Sequence, residues 1–351
     1  MIDSRRSAPL ALARGGVLHM PRVSVNIVTF DSAERIDACL ESVAAQTLTD
    51  IGVTVIDNAS TDGTVNRLRQ WEARGVRVIA NPTNVYYARA HNQAIRESDS
   101  EFVLTLNPDV LVFPDYLERV VNVFDRSPQI GSVNGKLLLT KREALRPSLI
   151  ALPPAPGALI DGTGLLMRRS RRPGLRGNHM PAITHCLEAT EIFGVDGACA
   201  AYRRTMLDDV TVNGEVFDED FVIYREDVDL AWRAQILGWE SWYEPTAIGY
   251  HVRRFHVGGD RRAIPPELKR HAVKNGWLLL IKNEDASSLL CAFPWVLPYQ
   301  LKILGGLLMV EHSSLAAIPE MLRLLSRTHR KRALIHARRR RTPAELRRWF
   351  R

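Results

Sequence analysis

Cysteine is scarce and scattered. The 351-residue chain holds four, Cys39, Cys186, Cys199 and Cys291, and no two form a C-x-x-C pair. That argues against a zinc framework and a disulfide scaffold, and leaves free thiols in a reducing compartment. A secretory signal is not recognisable either. Arg5 and Arg6 precede a short apolar run, residues 8–13, which Arg14 interrupts. Residues 1–20 are expected to be a flexible extension, with the body of the chain in the cytoplasm. No internal repeat is evident. Residues 286–310 are apolar with Lys302 as the one charge, and Pro294 and Pro298 argue against a single straight membrane-crossing helix there.

The net charge of +8 is misleading as a whole-chain property. Residues 321–351 carry 12 Lys/Arg against one acid, Glu345, which leaves −3 for the other 320 residues. Aromatic interleaving in that tail is limited to Trp349 and Phe350. A basic nucleic-acid-binding protein is therefore the weaker alternative, and no nucleic-acid partner is expected. An apolar fraction of 46% is enough for a sizeable core.

From residue 23 strand and helix signals alternate. Residues 23–30 (VSVNIVTF) read as a buried strand. Asp31 and Ser32 are placed to cap a helix with Ile36, Leu40 and Val43 on one face. Residues 53–56 form a second strand, 64–74 a helix stopped by Gly75, and 76–80 a third strand. Residues 87–98 read helical and 102–106 as a fourth strand. Pro114 suits the first turn of the next helix. Strands separated by single helices imply a parallel, doubly wound α/β sheet, whose ligands sit beyond the strands' carboxyl ends. Thr29-Phe30-Asp31, Asp57-Asn58 and Asn107-Pro108-Asp109 all fall there. Residues 141–185, rich in Pro, Gly and Arg, read as an irregular insertion. Helical character returns from about residue 263.

Three motifs carry chemistry. Asn107-Pro108-Asp109 closes an apolar strand; it is a common turn sequence, but a carboxylate at that edge can bind a cation that bridges phosphate oxygens. Asp57 is placed to accept hydrogen bonds from a nucleobase or ribose, with Asp62 capping the next helix. Glu226 and Asp227 fall in the first turn of a helix with Leu230, Ala234 and Leu237 on one face, ending at Gly238. Acids there complement the helix dipole, yet the aromatic and apolar residues before them suit a tuned general base, Asp227. His251 follows a strand signal and is a candidate metal ligand opposite Asp109; His256 is a rival, and Arg253 and Arg254 suit phosphate oxygens.

Residues 25–30, 57–64, 106–109, 196–199 and 224–229, with Gly238-Trp239 and Gly249-Tyr250-His251, resemble the family 2 inverting glycosyltransferases, most closely their bacterial rhamnosyltransferase-like branch. The match spans roughly residues 22–256, and the order and spacing of the motifs make it specific. It implies a GT-A type, Rossmann-like, doubly wound and mostly parallel sheet over residues 21–262. A helical, apolar and basic membrane-associating region would follow over residues 263–351. It further implies that Thr29 and Asp57 contact the nucleoside, with Phe30, Asn84, Asn107, Asp109 and Arg225 on the donor side. Asp109 and His251 would ligate Mn or Mg. Asp227 would be the base, with Glu226 supporting it or binding the acceptor, and Gly197 and Ala198 would line the sugar pocket.

The implied reaction moves rhamnose or a hexose from dTDP-rhamnose or a UDP-sugar to a glycan acceptor. That acceptor is expected to be lipid-linked, in bacterial cell-surface polysaccharide synthesis. A non-catalytic sugar-binding or scaffold protein with the same fold is the alternative. Two positions depart from the family pattern. Tyr86 and Tyr87 follow Asn84 where Gly and an aromatic are common. Arg225 stands where Gly is usual, and a cation there is expected to lower the Asp227 pKa and to reach donor phosphates. A glycine-rich phosphate loop after the first strand is lacking, which argues against a sugar nucleotidyltransferase. The apolar and basic C-terminal segments together suit peripheral binding to the anionic cytoplasmic leaflet, or an oligomer interface.

Overall fold

The structure, a computed structural model, describes residues 20–253 and 264–351. The expected extension, apart from Met20, lies outside the described residues. So do the expected boundary at 262 and the loop residues Arg254 and His256.

β1 (Val23–Thr29), α1 (Ile36–Ala44), β2 (Ile51–Asp57), α2 (Thr64–Glu72), β3 (Arg77–Ala80), α3 (Tyr86–Arg96) and β4 (Phe102–Leu106) follow one another along the chain. β3, β2, β1 and β4 lie side by side and all parallel. The chain steps outward from β1 to β3, then returns to the other flank of β1. The order therefore switches between β1 and β4, and a crevice opens at their carboxyl ends.

The second half completes a mixed sheet. It comprises β5 (Val110–Val112), α4 (Tyr116–Phe124), β6 (Ile130–Leu139), β7 (Ile160–Gly162), the small pair β8 (Leu165–Met167) and β9 (Pro173–Leu175), β10 (Thr190–Ile192), β11 (Cys199–Arg203), α5 (Arg204–Val210), α6 (Glu226–Ile236) and β12 (Glu240–His251). β11 sits antiparallel between β4 and β6, and β12 runs parallel to β6. β5 and β7 add short antiparallel segments to β12 and β6. The sheet is thus mostly parallel but mixed, as an α/β fold of this class requires.

Alternation along the strands builds two layers. Val25, Ile27, Leu104 and Leu106 pack with Leu40, Val43 and Trp71 on one face. Val103 and Ala200 face Ala88, Leu207 and Leu230 on the other. Two local expectations differ. Neither Asp31 nor Ser32 caps α1; the carboxylate of Asp31 accepts the Thr61 N–H at 2.8 Å, tying two loops together. Pro114 precedes α4 rather than opening it, since Asp115 occupies the cap position.

The C-terminal helices are α7 (Pro266–Asn283), α8 (Ala286–Met309), α9 (Ala317–Ala337) and α10 (Pro343–Leu346). Leu278, Leu279, Ile335, Leu346 and Phe350 pack against Phe193, Trp232 and Ile236. Below them lies a buried ion network. Lys282 Nζ bonds Asp229 at 2.8 Å and also Asp218; Lys331 Nζ bonds Glu215 and Asp220 at 2.9 Å and also Asp218. Arg327, Arg339, Arg340 and Arg348 pair with Glu215, Asp285, Asp209 and Glu191. Much of the basic tail therefore neutralises acids of the catalytic unit. Its +11 is not available as a free polybasic surface.

Pro294 and Pro298 do not interrupt α8, which runs for 24 residues. The carbonyls they deprive of a partner belong to Leu290 and Pro294, both exposed to water, so the lost bonds leave no buried orphan. No single helix among the described residues is long and apolar enough to cross a membrane.

Candidate functional site

The ends of β1 and β2 meet through side chains. Thr29 Oγ1 donates to Asp57 Oδ1 at 2.8 Å, and Ser60 donates to the same carboxylate from its N–H at 3.0 Å and its Oγ at 2.6 Å. Both Thr29 and Asp57 are buried, while Phe30 beside them is exposed. The expected Asp62 cap of α2 is not formed: Gly63 occupies the cap position, and Asp62 just before it accepts the Thr64 N–H at 3.0 Å and the Ala33 N–H at 2.9 Å. Asn84 Oδ1 accepts the Tyr86 N–H at 2.8 Å. Tyr86 has φ +61°, a left-handed conformation that costs a side-chain-bearing residue about 1–2 kcal/mol. The Asn84 bond holds this turn in place.

The turn at Asn107-Pro108-Asp109 is anchored on both sides. Asn107 N–H donates to the Ala198 carbonyl at 2.9 Å, and the Asp109 carbonyl accepts from Val252 N–H at 3.1 Å. β5 pairs with β12 so that Val110 lies opposite His251. That register brings His251 Nε2 to 3.4 Å from Asp109 Oδ1. The other ring nitrogen, Nδ1, is 2.8 Å from Asp161 Oδ2. Burial lowers the His251 pKa, but the two carboxylates outweigh it and push it up to about 9.

This pair fits a divalent metal. A carboxylate oxygen and an imidazole nitrogen face each other, and a further carboxylate orients the ring from behind. Among the described residues no group of three or more His, Cys, Asp or Glu side chains is placed to hold a metal ion. The remaining ligands would have to be substrate or water oxygens, as hard cations commonly require.

Arg253 connects this pair to the helix. Its guanidinium donates to both oxygens of Asp161 at 2.6 and 2.9 Å, and to Asp196 Oδ2 at 3.0 Å. It is engaged by carboxylates rather than left free for phosphates. Asp196 opens the turn in which Gly197 N–H donates to Asp227 Oδ2 at 3.1 Å. Asp227 Oδ1 accepts from Val228 N–H at 2.7 Å. Tyr87 Oη donates to the Gly197 carbonyl at 2.7 Å, and a Cβ on Gly197 would lie 2.9 Å from that oxygen. Only glycine permits this approach. A continuous polar array thus runs Asp109, His251, Asp161, Arg253, Asp196, Gly197, Asp227.

Asp227 sits in the first turn of α6, where two backbone donors favour its ionised form. Burial and the nearby Asp196 carboxylate prevail, and its pKa is pushed up to about 6. Arg225 does interact with Asp227, as does Arg253, but the net lowering expected there is not realised because burial and Asp196 outweigh these cations. Burial, then Asp227, push Glu226 well above the usual carboxylate range, and its Oε2 has no hydrogen-bond partner. Arg225 itself points into the C-terminal helices. It is hydrogen-bonded to Tyr299 of α8, and a Cβ at Gly276 of α7 would fall 2.2 Å from its Nη1.

Asp161 is the residue that sequence reasoning missed. It lies in the insertion read as irregular, on a three-residue strand whose place is set by pairing with β6. Burial raises its pKa, but His251 and Arg253 hold it well below the usual range. No local pattern marks it. Asp196 was visible only as part of a motif, without a role.

Known proteins match this chain in sequence and in fold. The chain is 28% identical over 250 residues to the N-acetylglucosaminyl-diphospho-decaprenol L-rhamnosyltransferase of Mycobacterium tuberculosis, a match covering 66% of this chain and 76% of that one. Two solved structures share its fold. S. aureus TarS 1-349 in complex with UDP-GlcNAc matches with TM-score 0.54 at 17% identity, over 90% of this chain and 87% of that one. The mannosyltransferase PcManGT from Pyrobaculum calidifontis, in complex with GDP-Man and Mn2+, matches with TM-score 0.51 at 19% identity, over 92% and 86%. The fold is that of the A-type glycosyltransferases. The sequence profile of glycosyl transferase family 2 matches residues 24–211, more than half the chain, and the protein belongs to that family.

Proposed function

We propose that this protein is an inverting, metal-dependent glycosyltransferase that moves rhamnose or a hexose from a nucleotide-diphosphate sugar to a glycan acceptor. The observation that carries the reading is the array from Asp109 to Asp227, which ties a metal-compatible pair to a base of suitable pKa. Thr29, Phe30, Asp57, Asn84 and Asn107 form the donor side, and Gly197 and Ala198 border the sugar. Asp109 and His251 would hold Mn or Mg, which when bound neutralises charge on the leaving diphosphate.

Asp227 performs the proton transfer. The acceptor hydroxyl oxygen bonds to the anomeric carbon as the bond from that carbon to the diphosphate oxygen breaks. The hydroxyl proton passes to Asp227, and the nucleoside diphosphate leaves with the electron pair. With one backbone donor on each oxygen, the Asp227 carboxylate keeps lone pairs for that proton. Glu226 supports the base or meets the acceptor, while Arg225, expected on the donor side, is instead packed among the C-terminal helices and anchors the turn before α6.

The acceptor is a lipid-linked glycan of bacterial cell-surface polysaccharide synthesis. That reading follows the mycobacterial relative, an L-rhamnosyltransferase named for N-acetylglucosaminyl-diphospho-decaprenol. The chain then works as a peripheral protein on the cytoplasmic face, docked through its C-terminal helices. Replacing Asp227→Asn is expected to lower transfer by about 10²–10⁴-fold, while a nucleotide-sugar still raises the melting temperature. Wild-type turnover by that variant would remove Asp227 from the base role.

A further inference from the structure

α8 is folded with its apolar side outward. Leu290, Phe293, Leu297, Leu301, Leu304 and Leu308 recur at spacings of three and four, one stripe along a helix. All six are between 39% and 77% exposed, whereas the residues α8 buries are the small or scattered Ser288, Ala292, Val296 and Leu307. A core helix shows the reverse. Met309 and Val310 extend the exposed apolar surface at its end.

Across α8 from the first half of this stripe, on the flank of Ser288, Cys291, Ala292 and Trp295, lies a pocket of about 320 Å³ between the 169–171 turn, α8 and the C-terminal turn. Arg169 stacks over the Trp295 ring, 5.0 Å from its centroid, and Arg347 contacts Cys291 Sγ at 3.5 Å. Both guanidiniums are exposed, and neither pairs with a carboxylate among the described residues. The acids nearest in sequence are taken: Glu284 binds Arg171 and Asp285 binds Arg339. Arg168, Arg172 and Lys302 are further exposed cations near α8.

We propose that this pocket binds the phosphate of an anionic phospholipid headgroup, while the stripe of α8 lies in the plane of the leaflet with its side chains in the acyl boundary. The inference rests on the membrane-surface reading above and gives it a specific headgroup site. Charge complementarity selects the occupant. Two unpaired guanidiniums on the flank of the helix away from the stripe, about 10–12 Å above it, need an anion at headgroup depth while the stripe meets apolar chains, and a phospholipid supplies both at once. Trp295 suits that boundary, with an apolar ring and a polar edge. The arrangement also orients the site. Tyr299, one turn or about 6 Å beyond Trp295, bonds Arg225, and the next two residues are Glu226 and Asp227. The docked helix therefore contacts, on its flank away from the stripe, the turn that opens the helix carrying the base.

The test is cosedimentation of the full chain with vesicles, without donor or acceptor. Wild type is expected to bind phosphatidylglycerol vesicles and to bind phosphatidylcholine vesicles much more weakly. Each guanidinium near an anionic surface strengthens partitioning about fivefold, so Arg169→Gln with Arg347→Gln should lose about 25-fold on phosphatidylglycerol and change little on phosphatidylcholine. Leu290→Gln with Leu297→Gln should lose binding to both, with circular dichroism confirming that each variant is folded. Equal wild-type binding to both vesicles, or an unchanged preference in the arginine variant, overturns the headgroup site while membrane docking stands. No binding to either vesicle overturns both, as does a wild-type dimer in sedimentation that the leucine substitutions dissolve. Saturation by millimolar inorganic phosphate with no vesicle binding reassigns the pocket to a free anion and also overturns the proposal. None of these outcomes depends on transfer, so a failure of the glycosyltransferase reading would be seen separately.

Discussion

Asp227 is pulled two ways. Backbone N–H groups of Gly197 and Val228 favour its charge, while burial and Asp196 oppose it, and the balance puts the carboxyl at about 6. A base must be ionised to accept a proton, so activity should fall as pH drops through about 6. A rate profile whose acid limb lay near pH 4 would mean that the Asp196 contact is relieved when substrate binds. Asp161 acts one step back from the chemistry by orienting His251 and Arg253 together. Asp161→Asn removes charge from both contacts and keeps the shape. Loss of such an orienting group typically weakens metal affinity about 10–100-fold. The half-saturating manganese concentration for transfer should therefore rise by that factor, with fold stability checked by melting.

Among the elements, α6 is held from both ends. Its first turn faces the site, and its Asp229 and Arg233 side chains enter the ion network shared with α7 and α9. Breaking one partner of a buried charge network typically costs about 3–5 kcal/mol, because the remaining charges lose their compensation. Lys331→Met leaves Asp218, Asp220 and Glu215 short of a cation, and urea denaturation should show a loss of that order. The pH dependence has a definite sign. Lys282 and Lys331 hold Asp218 well below the usual carboxylate range against the cost of burial. Its stabilisation is therefore present above the unfolded value of about 3.9 and is lost as pH falls towards the folded value. Unchanged stability in Lys331→Met would mean that the C-terminal helices are held by apolar packing alone.

The whole molecule joins an A-type glycosyltransferase fold to a helical layer whose buried face is part apolar and part ionic and whose α8 turns an apolar stripe outward. A ligand that binds only the folded chain stabilises it by mass action, by about 2.7 kcal/mol at a hundredfold excess over its dissociation constant. Screening dTDP-rhamnose, UDP-hexoses and GDP-mannose by thermal shift should single out one donor. Manganese should enlarge that shift if Asp109 and His251 hold the ion beside the diphosphate. Equal shifts with and without manganese would separate donor binding from the metal pair.

The alternation of strands and helices up to β4, the turn at Asn107-Pro108-Asp109 and the placement of Glu226 and Asp227 in a first helical turn were legible in the sequence. Each depends on local spacing, capping or turn chemistry within a few residues. The partnership of His251 with Asp161, 90 residues away, was not legible. Neither was that of Lys331 with Asp218, 113 residues away. The sequence also showed that residues 286–310 are apolar and that the tail is basic. Tertiary structure decided that several of the tail's cations, buried Lys331 above all, pair with acids distant in the chain and that the apolar stripe of α8 is turned outward. Composition records how much charge and apolar surface a segment carries. Which of it is covered depends on contacts between segments distant in the chain, and those leave no periodic trace in either one.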